Sequence, residues 1–169
     1  MAGFIAGEQA IVGVIRFVPL EVLSIPELIA LEIASTPFPW TISMLEGSLT
    51  AKPDCQKICL DDETIGYLVV QRIFDEADIL NLVIFKSFQA RGHGYAVICK
   101  LQEDLAKLGV KKLFLEVRRS NHAAHALYAK TGFAQLGTRE AYYRARSPAE
   151  RAEDALILSC DLKGVRFKS

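Results

Sequence analysis

Neither sign of charge prevails in this chain, whose 20 basic residues are matched by 20 acidic ones across 169 positions. Without a net field it gathers neither nucleic acid nor an anionic membrane surface, so any polyanion has to be held locally. Long apolar runs are missing as well. The most apolar early stretch, Ala10 to Leu20, is broken by Arg16 and falls short of the ~20 residues that a membrane span needs. Cysteine is sparse and scattered at Cys55, Cys59, Cys99 and Cys160, with no basic leader before it, which predicts free thiols in a reducing cytoplasm. Cys55 and Cys59 have no second Cys or His pair at ligand spacing, and His122 with His125 supplies two ligands at most, so no metal is expected.

What is present is a globular composition, 51% apolar and 24% charged, remote from the signature of disorder. A single core stops growing only beyond roughly 250 residues. One domain over residues 1–169 is therefore expected, with residues 1–10 an extension to which no role is assigned.

Residues 9–18 read as a first strand. Ser24 and Pro26 mark a capped helix that ends before Thr36, and Thr41 caps a second that ends near Gly47. Between them, Pro37 and Pro39 stiffen a loop carrying Phe38 and Trp40. Residues 55–85 alternate apolar runs with the polar breaks Asp61–Glu63 and Asp75–Ala77, which predicts a three-stranded antiparallel meander. Val97, Leu101, Leu105 and Leu108 then recur on one helical face, Gly109 stops that helix, and a strand follows over about 111–118. Strand, glycine loop, helix and strand form a right-handed crossover between parallel strands. Ser120 or Asn121 caps a further helix that ends at Thr131-Gly132. A short strand, an arginine-rich loop and a last apolar strand over 155–162 complete the chain.

The loop Gln89-Ala90-Arg91-Gly92-His93-Gly94 opens the crossover helix, whose first amides have no partner inside the helix. With the positive end of the helix dipole they make an anion site suited to a pyrophosphate. A glycine turn without a ligand fits the loop equally well. Nucleotide hydrolysis is disfavoured, because Tyr95-Ala96 stands where a phosphate loop needs Lys and Ser or Thr. A dinucleotide fingerprint is approached, with Glu116 about twenty residues on, but Val97 takes the third glycine position and only one crossover is visible.

Glu116 interrupts the apolar strand LFLEV and shares a face with Phe114 and Arg118. A carboxylate there needs solvent, a partner such as Arg118, or a chemical task. On the next helix Asn121, His125 and Tyr128 project from one face, as the polar lining of a cleft or with Tyr128 as a core aromatic.

The run Gln89-x-x-Gly92-x-Gly94 followed by LEVRRSNHAAHALYAKTGF, Leu115 to Phe133, resembles the GNAT N-acetyltransferase superfamily. Phe38-Pro39-Trp40, Tyr142-Tyr143 and Glu153-Asp154-Ala155 extend the likeness to members that acetylate the N-terminal alanine of a small-subunit ribosomal protein, over roughly residues 20–162. The resemblance implies an α/β fold with a mixed, mostly antiparallel central sheet flanked by helices and splayed between two central parallel strands. It implies acetyl-CoA as cosubstrate and no metal. The pyrophosphate would rest on Gln89, Ala90, Arg91, Gly92, His93, Gly94 and Tyr95, and the pantetheine along Leu82, Val83 and Ile84, with Asn121 touching the cofactor. It further implies Glu116 as general base, Tyr128 as general acid, and Phe38, Trp40, Tyr142 and Tyr143 along the peptide groove. The partner implied is a protein N-terminus, ribosomal in the first instance, rather than nucleic acid or membrane. The turn Ile84–Ser87 departs from the family's acidic, proline-containing one, and His93 and Tyr95 are bulky for the loop. The alternatives are acetylation of a free small-molecule amine and a non-catalytic acyl-CoA-binding module.

Overall fold

The computed structural model describes residues 13–21, 25–50, 54–145 and 151–163. In chain order these form β1 (Ile15–Pro19), α1 (Ile25–Ser35), α2 (Ile42–Thr50), β2 (Asp54–Leu60), β3 (Glu63–Ile73), β4 (Glu76–Ile84), α3 (His93–Lys107), β5 (Lys112–Arg118), α4 (His122–Lys130), β6 (Ala134–Tyr143) and β7 (Glu153–Asp161). The strands make one sheet in the order β1-β2-β3-β4-β5-β7-β6. Every neighbouring pair is antiparallel except β4 and β5, which the α3 crossover joins in parallel.

The predicted meander is β2-β3-β4. Its middle strand is buried on both faces from Ile65 to Val70, because helices cover both sides of the sheet. On one side Ile58, Ile65, Leu68 and Val70 pack with Val97, Ile98, Leu101 and Leu105 of α3 and with Tyr128 of α4. On the other, Cys55, Tyr67, Val69 and Val83 pack with Ile25, Leu28 and Ile29 of α1 and Leu45 of α2. Gly66 lies where β3 presses on β4: a Cβ there would stand 2.1 Å from the Val83 carbonyl oxygen.

Several boundaries differ from the sequence expectation. The second helix continues past Gly47 to Thr50, since Gly47 faces open space and Thr41 caps the helix by accepting from the Met44 N–H at 3.2 Å. Leu108 is 61% exposed rather than on the buried face of α3, because the helix ends at Lys107 and Leu108 belongs to its cap. The last strand opens at Glu153, ahead of its apolar run and in keeping with the likeness at Glu153-Asp154-Ala155. The expected cap Ser24, residues 9–12 of the first strand and the extension 1–10 lie outside the described residues. All four cysteines are unpaired, as expected. Among the described residues no helix is long and apolar enough to cross a membrane.

Candidate active site

The site begins with an irregularity in β4. Val70 pairs with Ile79 but Val69 pairs with Asn81, so Leu80 is the extra residue of a β-bulge. The bulge reverses which side chains face α3: Ala77 and Ile79 before it, Leu82 and Ile84 after it. A bulge also bends its strand and increases its twist. The parallel pairing of β4 with β5 accordingly runs only from Glu76↔Lys112 to Ile79↔Leu115 and stops at the bulge. Beyond it the strands part, and the main-chain groups of Leu82, Val83 and Ile84 that point toward β5 have no strand to pair with. This is the splay that the sequence resemblance implied.

The glycine loop closes the end of the splay. Phe85 is buried and opens a single 3-10 turn, Lys86–Phe88. The Gln89 side chain donates to the Ser35 carbonyl at 3.0 Å and the Ile84 carbonyl at 2.9 Å, bracing the loop between α1 and β4. Ala90 and Gly92 turn through the left-handed region, at φ 58° and 82°, and Gly92 becomes the cap of α3. The amides of Gly92, His93 and Gly94 donate to no described residue, as the opening of a 15-residue helix requires. Gly94 sits close to α4, where a Cβ would stand 3.2 Å from the Leu127 side chain. His93 is buried against Phe88, and its Nδ1 has no partner among the described residues. Unpaired amides and an unmet buried nitrogen fit a diphosphate with further polar groups. Ala90, Arg91 and Tyr95 are exposed around that cradle.

Alternation along β5 buries Leu113, Leu115 and Val117 toward α3 and turns Phe114, Glu116 and Arg118 to the opposite face. Arg118 is not the partner of Glu116. It pairs with Glu153 at 3.0 Å, and its guanidinium lies 3.8 Å from the centre of the Phe38 ring and 3.9 Å from that of Tyr143. Glu116 instead accepts from Arg139 of β6 at 2.7 Å, and Arg139 stacks on Tyr142 at 4.0 Å. The two tyrosines lie edge to face, 5.0 Å apart. Consecutive strand residues normally face opposite sides. Here Ala141 turns to φ 51° where the β6–β7 register jumps, and the Asp154 carboxylate holds its N–H at 3.0 Å. That N–H outweighs the opposing effect of burial and, with a further contribution from Arg119, keeps Asp154 below the usual carboxylate range. Burial opposes the charge of Glu153, yet the Ser120 N–H and Arg118 prevail and lower its pKa as well.

Tyr128 is buried beneath this face against Phe133, with ring centres 5.4 Å apart. Burial first, and the nearby Tyr143 second, push its pKa up to about 12. The pKa of Tyr143 is raised in turn, by burial first and, against Arg118, in smaller part by Glu116. Asn121 caps α4 through its side-chain oxygen, which accepts from the Ala124 N–H at 3.2 Å. The Nε2 of His125 meets the Arg118 carbonyl at 3.0 Å.

Phe38, Tyr142 and Tyr143 thus come together beside Glu116, whereas Trp40 does not join them. Trp40 lines a separate cavity of about 340 Å³ with Met44, Gln71 and Leu80, and its main-chain N–H donates to the buried Glu32 at 3.1 Å. A larger cleft of about 510 Å³ between β1 and α3 contains none of the expected site residues. Sequence reasoning missed Arg139, and also the buried network in which Glu32 accepts from Tyr67 and from Asn81 at 3.3 Å. Glu32 did carry a signal: it is a carboxylate one turn after Leu28 on the apolar face of α1. Arg139 carried none, because it reaches Glu116 across an intervening strand.

Comparison with known proteins places the chain among acetyltransferases. The profile of the acetyltransferase (GNAT) family matches residues 25–133. The ribosomal protein bS18-alanine N-acetyltransferase of Salmonella typhimurium is 33% identical over 140 residues, covering 83% of this chain and 93% of that protein. The crystal structure of the ribosomal-protein alanine N-acetyltransferase from Escherichia coli superposes with a TM-score of 0.76 at 27% identity, covering 92% of this chain and 97% of the other. A GNAT acetyltransferase from Elizabethkingia anophelis, solved with acetyl-CoA bound, shares the fold with a TM-score of 0.71 at 20% identity, over 87% of this chain and 97% of its own.

Proposed function

The chain belongs to the acetyltransferase (GNAT) family, and from that premise we propose that it forms one catalytic domain that transfers acetyl from acetyl-CoA to a protein N-terminus. The substrate proposed first is the N-terminal alanine of a small-subunit ribosomal protein, in the cytoplasm where that protein is made. The observation that carries the reading is the parting of β4 and β5 after Ile79 and Leu115, with the unpaired α3 amides at one end and Glu116 on its border. The choice of a peptide is supported by the relative named for that reaction and by the wall that Phe38, Tyr142 and Tyr143 raise beside Glu116.

Acetyl-CoA supplies an acyl group already activated as a thioester. The chain's own groups do the rest. The amides of Gly92, His93 and Gly94 hold the diphosphate, with Ala90, Arg91 and Tyr95 around it and Asn121 nearby, while Gln89 keeps the loop in place. The main-chain N–H groups of Leu82 and Ile84, turned toward β5, receive the charge that grows on the acyl oxygen. Glu116 takes the amine's proton through water as nitrogen bonds to the acyl carbon. Tyr128, with its proton held to a pKa of about 12, returns one to sulfur as the carbon–sulfur bond breaks.

An α-amine suits this arrangement. With a pKa of ~7.7 to 8.0 it gives up its proton near neutrality at a cost of about 1 kcal/mol, against about 4 to 5 kcal/mol for lysine at ~10.4. Mass spectrometry of peptides with different first residues, incubated with the chain and acetyl-CoA, tests the reading. One acetyl group on the first residue is expected, fastest for alanine. Turnover confined to free small amines overturns the protein-substrate reading, and coenzyme binding without turnover of any amine overturns the enzymatic one.

A further inference from the structure

Glu116 does not stand alone. Its strand row runs through Ile157 of β7 to Gly137 of β6, and the next row runs from Arg118 through Ala155 to Arg139. The Arg139 side chain therefore crosses β7 diagonally to donate to one oxygen of Glu116 at 2.7 Å, while the Tyr142 ring steadies its guanidinium from 4.0 Å. Asp78 from β4 and Tyr142 and Tyr143 from β6 also feel Glu116, and none of these three is cationic. Arg118 spends its charge on Glu153. Among the described residues, Arg139 is the cation that forms an ion pair with this carboxylate.

That matters for an amine that must arrive with a lone pair. An uncompensated carboxylate a few ångströms away favours the ammonium form, which cannot attack an acyl carbon, and raises the amine's pKa by roughly 1–3 units. A guanidinium stays charged at every working pH and cancels this effect. Resting on the reading of the site as an N-terminal acetyltransferase, we propose that Arg139 offsets the charge of Glu116 so that the bound amine stays a free base, and thereby selects α-amines over lysine side chains. The α-amine loses its proton readily and docks uncharged, whereas a lysine would bring a second cation to a carboxylate already matched. Arg139 is thus a specificity-determining residue that acts through Glu116.

The test compares the unaltered chain with Arg139→Gln and Arg139→Lys on an alanine-first peptide, following kcat against pH. In Arg139→Gln the rising limb is expected to move up by about one unit, so that kcat falls roughly tenfold at neutral pH and recovers in alkali. Arg139→Lys, which keeps a charge there, should retain the original limb, and the KM for acetyl-CoA should be the same in all three. A lysine peptide with a blocked N-terminus should inhibit Arg139→Gln roughly tenfold more tightly than the unaltered chain. A limb that does not move, whether kcat is preserved or lowered at every pH, overturns the role of Arg139 and leaves the N-terminal reading intact. An unaltered chain that acetylates no peptide N-terminus overturns that reading and this inference with it.

Discussion

In the proposed mechanism Glu116 and Tyr128 divide the proton traffic of the site, and their environments fit that division. Glu116 stands half-exposed on the open face of β5, where water can reach it, and Tyr128 is enclosed with its proton held tightly. Glu116→Gln is expected to lower kcat by about 10²–10⁴, and Tyr128→Phe by about 10². Acetyl-CoA affinity should stay unchanged in both, because neither side chain lies among the amides proposed to hold the diphosphate. Calorimetric titration with the coenzyme beside steady-state rates checks this; a Tyr128→Phe variant of undiminished kcat would remove the acid role. With a pKa pushed up to about 12, Tyr128 keeps its proton at lower pH, so any loss of activity between neutrality and about pH 10 has another origin. Both residues stood out in the sequence as polar groups set into apolar periodic segments, and their roles came from the family resemblance. The partner of Glu116 was not: Arg118, two positions away on the same face, was the local candidate, and the tertiary arrangement gave Arg118 to Glu153 and Glu116 to Arg139.

The elements were legible wherever periodicity and turn chemistry are local. The meander, the crossover helix and the asparagine cap of α4 all follow from neighbouring residues. The bulge at Leu80 was hidden, because an extra residue in one strand is defined only by its register against another. Its setting can be tested through Gly66, which pairs with Ile84 and presses on the Val83 carbonyl. A methyl group at 2.1 Å from a main-chain oxygen has no flexible side chain to displace, so β3 and β4 must separate. Gly66→Ala is expected to cost about 1–3 kcal/mol or more, read as a lowered denaturant midpoint. It should also weaken acetyl-CoA binding, since the displaced segment is the strand proposed to lie along the pantetheine. An unchanged midpoint would show that the two strands tolerate a wider gap there.

At the scale of the whole molecule, the sheet is two pieces that share one short seam. β1 to β4 form one antiparallel run and β5 to β7 another, and the β4–β5 pairing that joins them covers four residue pairs. The helices compensate by bridging the seam: the core beneath α3 takes side chains from β2 and β3 on one side and from β5 and β7 on the other. A ligand lodged where the strands part replaces sheet hydrogen bonds that the fold leaves out, and so should stabilise both pieces together. Binding to the folded form alone adds about 2.7 kcal/mol at a hundredfold excess over Kd. For a chain of this size that corresponds to a rise in Tm of roughly 5–10 °C. Acetyl-CoA should produce this rise in a single, unsplit transition. NAD should not, because the chain provides one crossover where a dinucleotide fold uses several. A shift with NAD and none with acetyl-CoA would mean that the parted strands serve a different ligand. A transition that acetyl-CoA splits in two would mean that the ligand holds one half of the sheet and leaves the seam as weak as before.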